Sequence, residues 1–100
     1  MAQSKPYRLD IRALQEIEVA DDWYLQRSLD ASAAFLATIS DALDTISQAP
    51  HQWPKHLYST RRFVLNRFPF AIIYLDEPDV VSIVAVAHNK RKPGYWRRRL

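Results

Sequence analysis

Val80-Val-Ser-Ile-Val-Ala-Val-Ala-His-Asn-Lys-Arg-Lys-Pro-Gly-Tyr-Trp-Arg-Arg-Arg-Leu100 is the stretch on which the fold turns. Its first eight residues are almost all apolar, rich in valine and free of Gly and Pro. A half-exposed strand would alternate apolar with polar; this one reads as a central strand covered on both faces. At His88 the composition changes abruptly. Residues 89–100 carry Lys90, Arg91, Lys92, Arg97, Arg98 and Arg99, with Tyr95 and Trp96 among them and no acid. A rigid strand runs into a cationic, aromatic tail, and the upstream chain is expected to be the scaffold that holds both.

Composition bounds that scaffold. One hundred residues suit a single domain over 1–100, with a basic tail at 89–100. At 48% hydrophobic and 25% charged residues the chain has the makings of a packed core. Cysteine is absent, which excludes disulfides and thiolate chemistry and agrees with a reducing cytoplasm. The opening Met-Ala-Gln-Ser-Lys-Pro-Tyr has no apolar segment of signal type, and no run reaches membrane-spanning length. The expected setting is therefore cytoplasmic, without a membrane partner. The net charge of +3 is unevenly placed: residues 1–60 hold five Lys/Arg against eight Asp/Glu, and residues 61–100 hold nine against three. The basic half suits nucleic acid, an acidic protein segment, or water alone.

Taken in order, residues 6–11 are short, partly alternating and led by Pro6, and read as a strand. From Arg12 the period changes. Leu14, Ile17, Ala20 and Tyr24 recur at helical spacing with Glu16, Glu18, Asp21 and Asp22 mostly off that stripe, which predicts a helix over 12–26. After a break at 27–29, Asp30 is placed to N-cap a second helix carrying Phe35, Ile39, Ala42 and Ile46, flanked by Leu36 and Leu43. Pro50 ends it. The short connection predicts an αα-hairpin. Residues 50–58 read as a loop; extended runs follow at 61–65 and 70–75 and from Val80, with turns at Asn66–Pro69 and Asp76–Asp79. The order β-α-α-β-β-β predicts an α+β domain, an antiparallel meander packed on an N-terminal helical hairpin. Its core should join Phe35, Ile39 and Ile46 to Ile72 or Ile73, Ile83 and Ala85.

With the elements placed, the chain resembles the RelE/ParE superfamily of type II toxin–antitoxin toxins. The resemblance rests on Leu14-Gln-Glu-Ile17 in the first helix, and on Ala33-Ala-Phe-Leu36 and Ile46-Ser-Gln-Ala-Pro50 in the second. It continues through Arg62, Val64-Leu65, Arg67-Phe-Pro-Phe70, Ile72-Ile-Tyr74, Val84-Ala-Val-Ala-His-Asn-Lys-Arg91 and Pro93-Gly-Tyr-Trp96. It implies a bacterial growth inhibitor of the plasmid-stabilisation type, held silent in a hetero-oligomer with a cognate antitoxin whose binding segment is acidic or amphipathic. Two activities divide the superfamily. ParE-like members poison DNA gyrase, whereas RelE-like members are ribosome-dependent mRNA endonucleases (mRNA interferases). An inactive nucleic-acid- or protein-binding module of the same fold is the third reading, since fold does not fix function.

The residues bear on that choice. A metal-independent RNase must activate a 2′-hydroxyl, stabilise a phosphorane and protonate a leaving oxygen. His88 is the acid/base candidate, Arg62 and Arg91 the phosphate forks, and Tyr95 the remaining catalytic candidate. Arg61, Arg67, Lys90, Lys92, Trp96, Arg97 and Arg98 are candidates for binding a target or phosphate. Each has a plainer reading: His88 as a hydrogen-bonded strand end, Trp96 as packing for the tail, and Arg97-Arg-Arg99 as a solvated terminus. No carboxylate stands between Asp44 and Asp76, so a glutamate base from the second strand is missing, and His88-x-x-Arg91 followed by Trp96 looks more like the ParE branch. Metal chemistry is not expected, with His51, His56 and His88 the only imidazoles and no helical pair among them. A single glycine, Gly94, leaves no phosphate-cradling loop and implies no nucleotide cofactor.

Overall fold

A computed structural model describes residues 4–100. Strand β1 (Tyr7–Leu9) leads into helix α1 (Ile11–Leu25), helix α2 (Leu29–Gln48), and strands β2 (Arg61–Val64), β3 (Phe70–Asp76) and β4 (Val81–His88). The sheet order is β1-β4-β3-β2, with β1 parallel to β4 and the other pairs antiparallel. The α+β meander on a helical hairpin is thus present. The opening strand joins it beside β4, which places β4 inside the sheet with a partner on each side.

The ends of the elements differ from the sequence reading for local reasons. The first strand stops at Leu9 instead of residue 11. The Asp10 carboxylate accepts from the Arg12 backbone N–H at 2.8 Å, so Asp10 is the N-cap and Ile11 already helical. Helix α2 is capped by Ser28, not Asp30: Ser28 is extended and its hydroxyl accepts from Ala31 N–H at 3.2 Å. Asp30 lies in the first turn, where its charge complements the helix dipole. On α1 the buried stripe is Ala13, Ile17 and Ala20; Leu14 is 40% exposed. The small Ala13 lets the helix approach the sheet. The segment after Pro50 contains two short 3-10 turns, Pro50–Gln52 and Leu57–Ser59.

Two cores result. The helical face of the sheet joins Phe35, Ile39 and Ile46 to Ile72, Tyr74, Val81, Ile83 and Val86. The opposite face holds Ile73, Val84, Ala85 and Trp96, with Tyr95 packed beside them. Ala85 is therefore a correction: it lies on the face away from the helices. A bulge explains it. Ile73 pairs with Ala85 but Tyr74 pairs with Ile83, so Val84 has no opposite number and the inside–outside alternation resets there. Strand β4 is covered on both faces, as its valine run implies, and the second cover is its own tail.

Gly94 makes that cover possible. Its φ is +83°, and a Cβ there would stand 3.2 Å from the Tyr58 ring. Backbone sterics and close approach both select glycine. Tyr58 and Ser59 themselves adopt left-handed φ values of 57° and 64°. This costly conformation for non-glycine residues brings Tyr58 against the tail. Tyr58 meets Trp96 edge-on at 6.0 Å, and the Arg97 guanidinium lies 4.6 Å over the Tyr58 ring.

Candidate functional site

On the tail side of the sheet, a cavity of about 120 Å³ opens where the last turn of β4 leaves the strand. Arg62 reaches it from β2, where it pairs with Ile73. His88 enters from the end of β4, and Arg91, Lys92, Tyr95 and Trp96 from the tail. His56 completes the wall from the loop before β2. The four residues proposed for catalysis, His88, Arg62, Arg91 and Tyr95, are thus brought together although up to 33 positions separate them in sequence. No carboxylate lines the cavity.

His88 is held by its neighbours. Its Nδ1 accepts from the Lys90 backbone N–H at 3.1 Å, and its ring stands edge-on to Phe70 at 5.1 Å. With Nδ1 an acceptor, the neutral tautomer carries its proton on Nε2. In the sequence His56 stands out only as one of three imidazoles, with no metal chemistry expected of it. Burial, and then the nearby Arg62 charge, push its pKa below the ordinary histidine value and so favour the neutral imidazole. Nothing in the sequence ties His56 to His88; only the strained loop ahead of β2 brings it there.

Tyr95 has a fixed role. Its hydroxyl donates to Glu16 Oε2, and burial followed by that hydrogen bond raises the phenol pKa well above its usual value. The Arg91 guanidinium lies 3.8 Å over the Tyr95 ring. Glu16, which the helical spacing places off the apolar stripe, is largely buried, its side chain 18% exposed. Arg99 grips it with two N–H groups, at 2.8 Å to Oε1 and 3.1 Å to Oε2. Oε1 also accepts from Val86 N–H at 3.1 Å, while Arg99 donates to the Val84 carbonyl at 3.1 Å. These groups lie on β4 beyond the end of β1, so two side chains substitute there for a missing strand. Arg99 is accordingly a structural cation, not part of a solvated terminus.

The remaining candidates divide. Trp96 is 2% exposed: it packs the tail onto the sheet and meets the cavity only as part of its wall. Lys90, Lys92, Arg97 and Arg98 are exposed around the cavity and tail. Arg61 donates to the Trp53 carbonyl at 2.7 Å and lines a different pocket. Arg67, with a φ of 72°, lines a groove against α2 formed by Thr38, Asp41 and Thr45 and does not reach the His88 cavity. A second cavity of about 270 Å³, walled by Ala20, Trp23, Tyr24, Pro69 and Phe70, adjoins His88 on its other side. Among the described residues no three His, Cys, Asp or Glu side chains gather as a metal site, and no helix is long and apolar enough to cross a membrane.

A four-stranded sheet backed by an αα-hairpin, with a basic tail closed over its far face, is a fold of the RelE/ParE-like kind. A family described as "ParE toxin of type II toxin-antitoxin system, parDE" matches residues 7–93, and the chain belongs to that family. It is the toxin component of such a module, and a cognate antitoxin is its partner. A solved structure titled "Chromosomal ParDE TA system from P. aeruginosa" is similar at a TM-score of 0.75 and 13% identity, covering 85% of this chain and 96% of that one. At that identity the likeness is one of fold. No curated protein matches the chain.

Proposed function

We propose that this toxin inhibits growth in the cytoplasm by binding DNA gyrase and stalling it, without chemistry of its own. The observation that carries this reading is the ParE family match over residues 7–93. The cavity supports it. Arg62, Arg91 and Lys92 present cations with no carboxylate between them, and Lys90, Arg97 and Arg98 extend the charge over the rim. Such a surface suits an acidic protein segment, with charge steering the encounter and a few buried side chains carrying the affinity. One group that a nuclease would call upon is otherwise engaged, since the Tyr95 hydroxyl donates to Glu16, and no carboxylate base lines the cavity.

One observation favours a second reading, the ribosome-dependent mRNA endonuclease. His56 and His88 line the same cavity as Arg62 and Arg91, and two imidazoles beside two guanidinium groups are a sufficient set for metal-free phosphodiester cleavage. On that reading the catalytic residues are His88, Arg62, Arg91 and Tyr95. Induced expression with parallel measurement of plasmid supercoiling and mRNA integrity separates the two. Altered supercoiling with intact transcripts is expected; cleaved transcripts with normal supercoiling would reverse the order of the readings.

A further inference from the structure

The cavity is cationic, but what shapes it is an acid that does not touch it. Arg91 and Lys92 follow the end of β4 in an exposed turn, and no salt bridge to either is present among the described residues. What locates Arg91 is the face of Tyr95, 3.8 Å below its guanidinium. What locates Tyr95 is Glu16, on the first turns of α1 and 79 residues away in sequence, which accepts a hydrogen bond from its hydroxyl. The same carboxylate is held by Arg99 and by the Val86 amide, so the point to which the tail is tied is itself tied to the sheet. We propose that Glu16 is the positioning residue of this site: it latches the tail across the edge of β4 so that Tyr95 presents Arg91 at the cavity.

The proposal rests on the reading that the cavity contacts the toxin's target, but not on which target that is. Its physical basis is the strength of the latch relative to the rest of the tail. Charge-assisted hydrogen bonds are the strong ones, and Glu16 accepts from a guanidinium, a phenol and an amide at once. Beyond Arg99 and Trp96, the tail meets the body through Tyr58, Gly94 and Arg97, contacts that hold its outer side and include neither the Tyr95 hydroxyl nor the Arg91 guanidinium. A short covering segment at a chain end is among the first parts of a fold to open when its strongest tie is cut. Removing the charge of Glu16 should therefore release the wall of the cavity while leaving the helical core intact.

Glu16→Gln keeps size and shape and removes the charge. Amide hydrogen exchange reads the latch directly, because the Val86 N–H depends on Glu16 whereas the Ile72 and Tyr74 amides lie inside the sheet. We expect exchange at Val86 and at Tyr95–Leu100 to quicken by about tenfold or more, the least that loss of a charge-assisted hydrogen bond should produce. Exchange at Ile72 and Tyr74 should be unchanged. Growth inhibition on induction should weaken by a similar factor. Tyr95→Phe, which retains the Glu16–Arg99 pair, should lie between this variant and the parent in both readouts and keeps the test open if Glu16→Gln does not fold. Unchanged exchange at Val86 and the tail would overturn the latch. A released tail with full growth inhibition would overturn the positioning role. Normal supercoiling with the parent protein would instead remove gyrase as the target, and the growth assay would still decide the proposal.

Discussion

Asp10 shows how much one side chain does in this fold. It ends β1, caps α1 and chelates Arg12, whose Nε and terminal nitrogen stand 2.9 and 2.8 Å from its two oxygens. That pairing, ahead of the backbone hydrogen bond, lowers its pKa from 3.8 to about 2. A carboxyl depressed in the folded state stabilises fully above its unfolded pKa and loses that contribution as pH falls through the folded value. Asp10→Ala should cost about 0.5–2 kcal/mol at neutral pH, as lost caps do. The gap in thermal stability between parent and variant should narrow between about pH 4 and pH 2. A gap that stayed constant over that range would show that the cap does not depend on the charge. Asp10 and Glu16 also mark the limit of reading residues from sequence. Both are acids next to an apolar stripe, and periodicity treats them alike as surface. What separates them is a partner: Arg12 is two residues away and in plain view, whereas Arg99 is 83 positions distant and visible only once the tail has folded back.

Among the elements, β4 was the most legible and also the most deceptive. Its almost wholly apolar run placed it inside the sheet and required a cover on each face, and both covers exist. The side on which each residue falls could not be read from a period of two, because the bulge at Val84 shifts the alternation halfway along the strand. Hence Ile83 packs on the helices and Ala85 on the tail. Ile83 is 1% exposed in the helical core, and Ile83→Ala should cost about 2–5 kcal/mol by chemical denaturation. Near-zero destabilisation would contradict the burial of that strand. The helices were legible within a residue or two at their ends, because their stripes are long. Their caps were not, since Ser28 and Asp30 are both acceptable capping residues and backbone geometry chooses between them.

On the scale of the molecule, the chain divides its labour as it divides its charge. The acidic amino-terminal part builds the helical hairpin and supplies β1, Glu16 and His56; the basic carboxy-terminal part builds the other three strands, most of the cavity wall and the tail. Exposed Leu14, Val19, Trp23, Leu25, Leu29 and Leu36 leave the hairpin with an apolar surface, while the cations lie around the tail. An antitoxin segment with both acidic and apolar side chains would match the two. Association should be steered by charge and so slow as salt rises, with apolar contacts supplying most of the affinity. An association rate indifferent to salt, measured by stopped flow, would count against engagement of the basic surface.

We propose that this toxin acts by binding and not by proton transfer. His88→Gln tests it most directly, because glutamine keeps polarity and approximate size but cannot titrate. With purified parent and variant of matched melting temperature, both should inhibit gyrase supercoiling at similar concentrations and neither should cleave mRNA on translating ribosomes. A parent that leaves supercoiling untouched and cleaves mRNA, with cleavage falling by about 10²–10⁴-fold in an equally stable His88→Gln, would contradict the account and make His88 a general acid–base catalyst.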